Sequence, residues 1–194
     1  AYDFAYNLAE VAAPFPLLRW ADDLPFLFAN HVTFWMPEGW VSDAMPNLES
    51  TLPGTYLGVR MAWEPTADPQ AILHEFYTGC YGAAAAPMRR YWETLNAAWQ
   101  GSPEHAGSHY GFLRRFTPET LAAARAALDE AQDAARTVPA YRRVKLADDG
   151  FRQFERYMRL RRNLNEGIAN TLDKDAELWL SGARYLRAAY AGQP

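Results

Sequence analysis

The spacing of apolar residues changes early in this chain. Tyr2 to Tyr6 alternates aromatic with small or polar residues, the period of a short strand. Pro14-Phe15-Pro16 breaks it. From Leu17 to Asn30 the apolar positions Leu17, Leu18, Trp20, Leu24, Leu27 and Phe28 recur at helical intervals, with Pro25 near a boundary or kink. His31 to Met36 is rich in β-branched and aromatic residues and reads as a second strand, ended by Pro37-Glu38-Gly39. Strand, helix and strand in this order make one βαβ unit with parallel strands. A parallel sheet is covered on both faces and needs several strands. The pattern therefore predicts a sheet completed by other sequence or by another chain.

From about Asn47 the period is helical. Leu48–Trp63 places Leu52, Tyr56, Val59 and Trp63 at three- and four-residue intervals, with Pro53 and Gly54 in or before its first turns. Asp68-Pro69 opens a helix with an N-cap carboxylate and proline at the first turn. Ile72, Leu73, Phe76, Tyr77 and Cys80 form its stripe, and Gly82 ends it. A helix from about Ala84 to Trp99 buries Met88, Tyr91, Trp92, Leu95 and Trp99, and Gly101–Gly111 is a loop. Thr117-Pro118-Glu119 starts the next, whose Leu121, Ala124, Leu128, Ala131, Ala135 and Val138 form a narrow Ala-rich seam ended by Pro139. Two more helices are expected, from about Tyr141 to Asn170 and from Asp173 to Tyr190, with Asp148-Asp149-Gly150 a candidate interruption in the first.

Composition narrows the class. Of 194 residues, 49% are hydrophobic and 22% charged, the balance of a folded globular chain. Formal net charge is −4, and the one basic stretch, Arg152 to Arg162, reads as a solvated helix face, which argues against nucleic acid. No apolar run reaches the length of a membrane span. Cys80 is the single cysteine, so no intrachain disulfide forms. The opening Ala-Tyr-Asp-Phe, without Met, fits a fragment or a processed product. Seven Trp, eleven Tyr and ten Phe are many for a helical chain. Aromatic faces stack on sugar rings, and they equally fill cores.

The segment most suited to chemistry is His31-Val-Thr-Phe-Trp-Met-Pro-Glu-Gly-Trp40. In barrels of alternating strands and helices, working residues lie just past the strand ends. Glu38 and Trp40 take that place after the second strand, with Trp35 at its end; Asp3, Tyr6 and Asn7 take it at the first. A carboxylate between indoles suits sugar binding, and it serves as acid or base when a second carboxylate stands about 5 to 10 Å away. Turn capping by Glu38 and packing by the tryptophans explain the same residues without a ligand. His105 and His109 lie four apart in a Gly/Ser/Pro loop that does not enforce metal-ligand geometry, so no metal or other cofactor is expected. There is no phosphate-binding glycine loop, nucleophile elbow or Cys-His arrangement.

Tyr2-Asp-Phe-Ala-Tyr6, Pro14-Phe-Pro16, Phe34-Trp-Met-Pro-Glu-Gly39 and Met45-Pro-Asn-Leu48 form one set of shared motifs. The Trp63-Glu-Pro, Asp68-Pro69 and Phe76-Tyr-Thr-Gly-Cys-Tyr-Gly82 series forms the other. Together they resemble the C-terminal half of the bacterial family called domain of unknown function 4838, over roughly residues 1 to 160. That family occurs in large polysaccharide-degradation proteins, related to alpha-glucuronidases and beta-hexosaminidases. The resemblance implies an α/β then mainly α fold: residues 1–65 as the last strands of a (β/α)8 barrel, residues 66–194 as a helical module. It implies a glycoside hydrolase acting on polysaccharide together with the missing N-terminal barrel portion, in the same protein or a separate chain, with Glu38 as site residue. A secreted or periplasmic location is implied, the cytoplasm left open. The alternatives are a non-catalytic carbohydrate-binding module and a helical scaffold or oligomerisation module.

Overall fold

The computed structural model describes residues 2–4, 17–38, 48–102 and 114–190, and its architecture is mainly helical. In chain order come β1 (Tyr2–Phe4), α1 (Arg19–Ala29), β2 (Met36–Glu38), α2 (Leu48–Trp63), α3 (Pro69–Tyr81), a 3-10 turn (Gly82–Ala84), α4 (Ala85–Gln100), α5 (Pro118–Ala134) and α6 (Val138–Tyr190). β1 and β2 touch in parallel over three residues each, Tyr2 opposite Met36 and Phe4 opposite Glu38. Among the described residues no further strand extends this contact, and no barrel forms. The expectation of closing barrel strands is overturned. His31–Met36 is not the second strand: residues 32–35 are irregular, and the extended segment begins at Met36. Helix-on-helix packing buries the apolar residues instead. No helix among the described residues is long and apolar enough to cross a membrane.

The chain divides into two units, residues 1–155 and 156–194. In the first, neighbouring helices pack in sequence: α1 on α2, α2 on α3, α3 on α4, and α4 most extensively on α5. The α1–α2 approach is set by glycine. Gly54 and Gly58 lie four residues apart on one face of α2; Gly54 faces the backbone of Leu17, and Gly58 lies against the indole of Trp20. A Cβ on Gly58 would fall 2.2 Å from Trp20 Cε3, so the indole occupies the space a side chain would need. Trp20 is buried and meets Trp35 edge to face at 5.1 Å. The N–H of Leu18 donates to the buried Asn96 Oδ1 at 3.4 Å, tying the start of α1 to α4. Pro25 sits inside α1, which runs through it.

Capping fixes most other boundaries. Asp68 accepts from the N–H of Gln70 at 2.9 Å with Pro69 in the first turn, and Gly82, at φ +54°, closes α3 with its N–H on Thr78 O. Thr117 accepts from the Thr120 N–H at 3.3 Å ahead of α5. α5 stops at Ala134, and Pro139 begins the next helix instead of ending this one. Thr137 accepts from the Ala140 N–H at 3.3 Å, and proline in a first turn removes only an N–H that would have no helical partner. α6 is one helix, so Asp148-Asp149-Gly150 does not interrupt it and the expected break near residue 171 is absent.

The aromatic surplus goes largely into this core. A run of edge-on and tilted rings links Trp99, Phe116, Phe154, Phe151 and Tyr91, with centroids 5.0 to 6.3 Å apart. Such pairs add to the burial of their area. Cys80 is half-buried, and burial pushes its thiol pKa up. In the second unit, Arg161 Nε donates to Tyr157 OH at 2.7 Å, while Leu160 and Leu164 are exposed.

Two glycines separate the roles of space and chain entropy. Gly58→Ala is expected to lower stability by about 1–3 kcal/mol through overpacking against Trp20. Gly79→Ala, in α3 with no atom within 4 Å of the added methyl, should raise it by about 0.5–1 kcal/mol. Urea denaturation of both variants checks the pair.

Candidate functional site

An open groove of about 570 Å³ lies between α1, the segment after it and the end of α2. Its floor is apolar and buried, with Leu24 and Met61 nearly inaccessible. Its walls are aromatic: Phe28, Phe34, Trp35 and Trp63, with Val32 and Pro65 between them and Thr33 supplying a hydroxyl. Trp63 is 92% exposed, Phe34 66% and Phe28 59%. Exposed aromatics gathered on one concavity mark interaction sites far more often than scattered ones do.

The wall after α1 is held by its helix end. Asn30 N–H donates to Phe26 O, His31 N–H to Phe28 O at 3.0 Å and Val32 N–H to Leu27 O at 3.0 Å. The last two are the paired bonds of a Schellman cap, and His31 takes its left-handed position at φ +60°. A residue other than glycine there costs about 1 kcal/mol. The turn sends residues 32–35 back along the groove, where the Trp20–Trp35 contact anchors the far end.

Of the residues expected to act, Trp35 lines the groove half-buried. Glu38 ends β2 and Asp3 lies in β1, opposite Pro37; the side chains of both are outside the described set. Tyr6, Asn7 and Trp40 also lie outside the described residues, as do His105 and His109. Leu52, Tyr56, Val59 and Trp63 recur at helical intervals in the sequence, but they are not the residues that α2 buries. Leu57 and Met61 are the large apolar residues that α2 buries among those described, while Val59 is 59% exposed and Trp63 projects beside the groove. Phe28 was counted among the apolar positions of the first helix and Phe34 lay within the expected second strand, and neither was singled out for the site.

Carboxylates do cluster elsewhere. Arg125 Nη2 donates to Glu155 Oε2 at 2.6 Å and Nε to Oε1 at 3.1 Å, Nη1 pairs with Asp148, and Arg152 Nε reaches Asp148 Oδ2 at 2.8 Å. The Arg125 guanidinium also lies over Phe151, 5.0 Å from the ring centroid. Burial pushes the Asp148 pKa up, but the hydrogen bonds from Arg125 and Arg152 outweigh it and hold the carboxyl below its ordinary range. An ionised carboxylate already saturated by two arginines is a poor proton donor. This network locks α5 to α6 and is structural. At the surface, Glu75 accepts from Tyr56 OH and Arg60 Nη1, each at 2.7 Å, joining α2 to α3.

Residues 1–94 match the family described as Domain of unknown function (DUF4838). The DUF4838 match runs from β1 into α4 and contains the whole groove. No curated protein and no solved structure matches the chain. The DUF4838 description names no activity, so it assigns no chemistry to the groove.

Three variants test these contacts. His31→Gly is expected to raise stability by about 0.5–1 kcal/mol by releasing the left-handed strain, and His31→Val to lower it, read from urea midpoints. Asp148→Asn should cost about 3 kcal/mol at neutral pH. Because the folded-state pKa of Asp148 is depressed from 3.8, its contribution is complete above that value and lost as pH falls through the lower one. The stability gap between the native protein and Asp148→Asn should therefore close on acidification below about pH 4, measured by denaturation at several pH values.

Proposed function

We propose that this chain binds a carbohydrate in the groove between α1 and α2. The observation that carries the reading is the set of exposed rings, Trp63, Phe34 and Phe28, around a groove whose floor is fixed and apolar. Leaving an indole in water forfeits much of the stabilisation that its burial would give, about 25 cal/mol per Å² of apolar area. A pyranose offers the matching surface: C–H faces that lie on an aromatic ring and hydroxyls that stay wet at the rim. The resemblance to proteins of polysaccharide degradation favours a sugar over other ligands of that shape.

Glu38 enters the proposal as an acceptor for sugar hydroxyls, because β2 follows Trp35 directly in the chain. Binding is favoured over hydrolysis. Glycoside cleavage uses two carboxylates flanking the bond, and the described lining of the groove contains neither Asp nor Glu.

Titration calorimetry with cello-, xylo- and N-acetylchito-oligosaccharides should give saturable binding. Trp63→Ala should weaken it about tenfold, near 1.4 kcal/mol, without changing the unfolding midpoint, since the side chain is almost fully exposed. Equal affinity in Trp63→Ala would remove the groove from the binding reaction. Release of reducing ends that disappears in Glu38→Gln would turn the binding site into a hydrolytic one.

A further inference from the structure

Charge is distributed very unevenly along this sequence. Residues 1–88 contain ten carboxylates, and their only Lys or Arg residues are Arg19 and Arg60. Both arginines are engaged, Arg60 with Glu75 at 2.7 Å and Arg19 with Asp23 at 3.6 Å. Residues 89–194 have the opposite balance, seventeen Lys or Arg against thirteen Asp or Glu. The groove belongs entirely to the acidic part. Exposed Glu64 stands between its lining residues Trp63 and Pro65.

We infer that the groove selects uncharged glycan chains and rejects those bearing uronic acids. This rests on the carbohydrate reading above and names its ligand class. Recognition of a uronate takes an arginine or lysine, best through paired hydrogen bonds to the carboxylate. The two arginines of this region are already held by carboxylates of their own. A polyuronate approaching the groove meets Glu64 at its rim and the net negative field of residues 1–88, and that field lowers its local concentration. A neutral chain meets neither penalty, because stacking on Trp63 and Phe34 needs no charge. Repulsion between solvent-exposed charges is screened by salt, with a Debye length of about 10 Å at 0.1 M. Selectivity based on it must fade at high ionic strength, whereas stacking persists.

The test is calorimetric titration of the full chain with neutral hexasaccharides (cello-, xylo- and N-acetylchitohexaose) and with oligogalacturonate of the same length, in 20 mM and 500 mM NaCl. The expected result is binding of at least one neutral chain with less than twofold change between the two salts. Oligogalacturonate should bind at least tenfold more weakly at 20 mM, with the gap narrowing at 500 mM. Glu64→Lys should raise affinity for the uronate severalfold at low salt and leave the neutral ligand unchanged. Oligogalacturonate binding as tightly as the neutral chains at 20 mM NaCl overturns the charge inference while leaving the carbohydrate site standing. Binding of none of the sugars overturns both.

Discussion

The seating of Trp20 on Gly58 sets the geometry of the N-terminal part of this molecule. A buried indole is large, and it reaches the backbone of α2 only because position 58 carries no side chain. The consequences follow from helix geometry. At 100° per residue, Met61 lies three residues on from Gly58 and returns to the same face, where it becomes groove floor. Trp63, five residues on, is turned about 140° away and must face outward. The same indole meets Trp35 in an edge-to-face contact and so holds the segment that β2 continues. One close approach thus fixes the floor, one wall and the exposure of the rim.

That approach was hard to see in the sequence, and the reason is physical. Periodicity methods weigh side chains, and on α2 the contact is made by their absence. Leu52, Tyr56, Val59 and Trp63 offered a regular stripe, yet Gly54 and Gly58 defined the packed face. By contrast α3 was legible at both ends, because Asp68-Pro69 and Gly82 act within one turn of themselves and need no tertiary partner. Pro139 shows the limit of the same local logic. Proline stops one helix or starts the next, and only Thr137, placed to accept from Ala140, decides which. The barrel expectation failed differently. The order strand, helix, strand describes connectivity, and connectivity does not fix how many strands a sheet contains; here each has three residues.

Aromatic content carried a similar ambiguity, and position resolves it. Tyr91, Phe116, Phe151 and Phe154 are buried in a continuous ring network between helices, beside the arginine–carboxylate lock of Arg125, Asp148 and Glu155. They account for rigidity. The clustered carboxylates are likewise spent on α5 and α6, which directs attention away from them as acid–base candidates. The candidate site was legible only in part: Trp35 was singled out from its place at a strand end, and Phe28, Phe34 and Trp63 emerged from their exposure.

Rigidity and exposure are what a stacking site needs in combination. Flat rings bind weakly when they must first be ordered, since each immobilised side chain costs about 0.5–1.5 kcal/mol. In this groove the backbone beneath the rings is already held, by the Schellman bonds at Phe28 and Leu27 and by the Trp20–Trp35 contact. The strain at His31 is part of the same arrangement: a left-handed residue is the shortest way to turn the chain from the end of α1 back along its side. The fold therefore places its conformational cost beside the groove and its best-packed contact beneath it. That distribution suits a surface that must stay in shape while its aromatic faces remain in water.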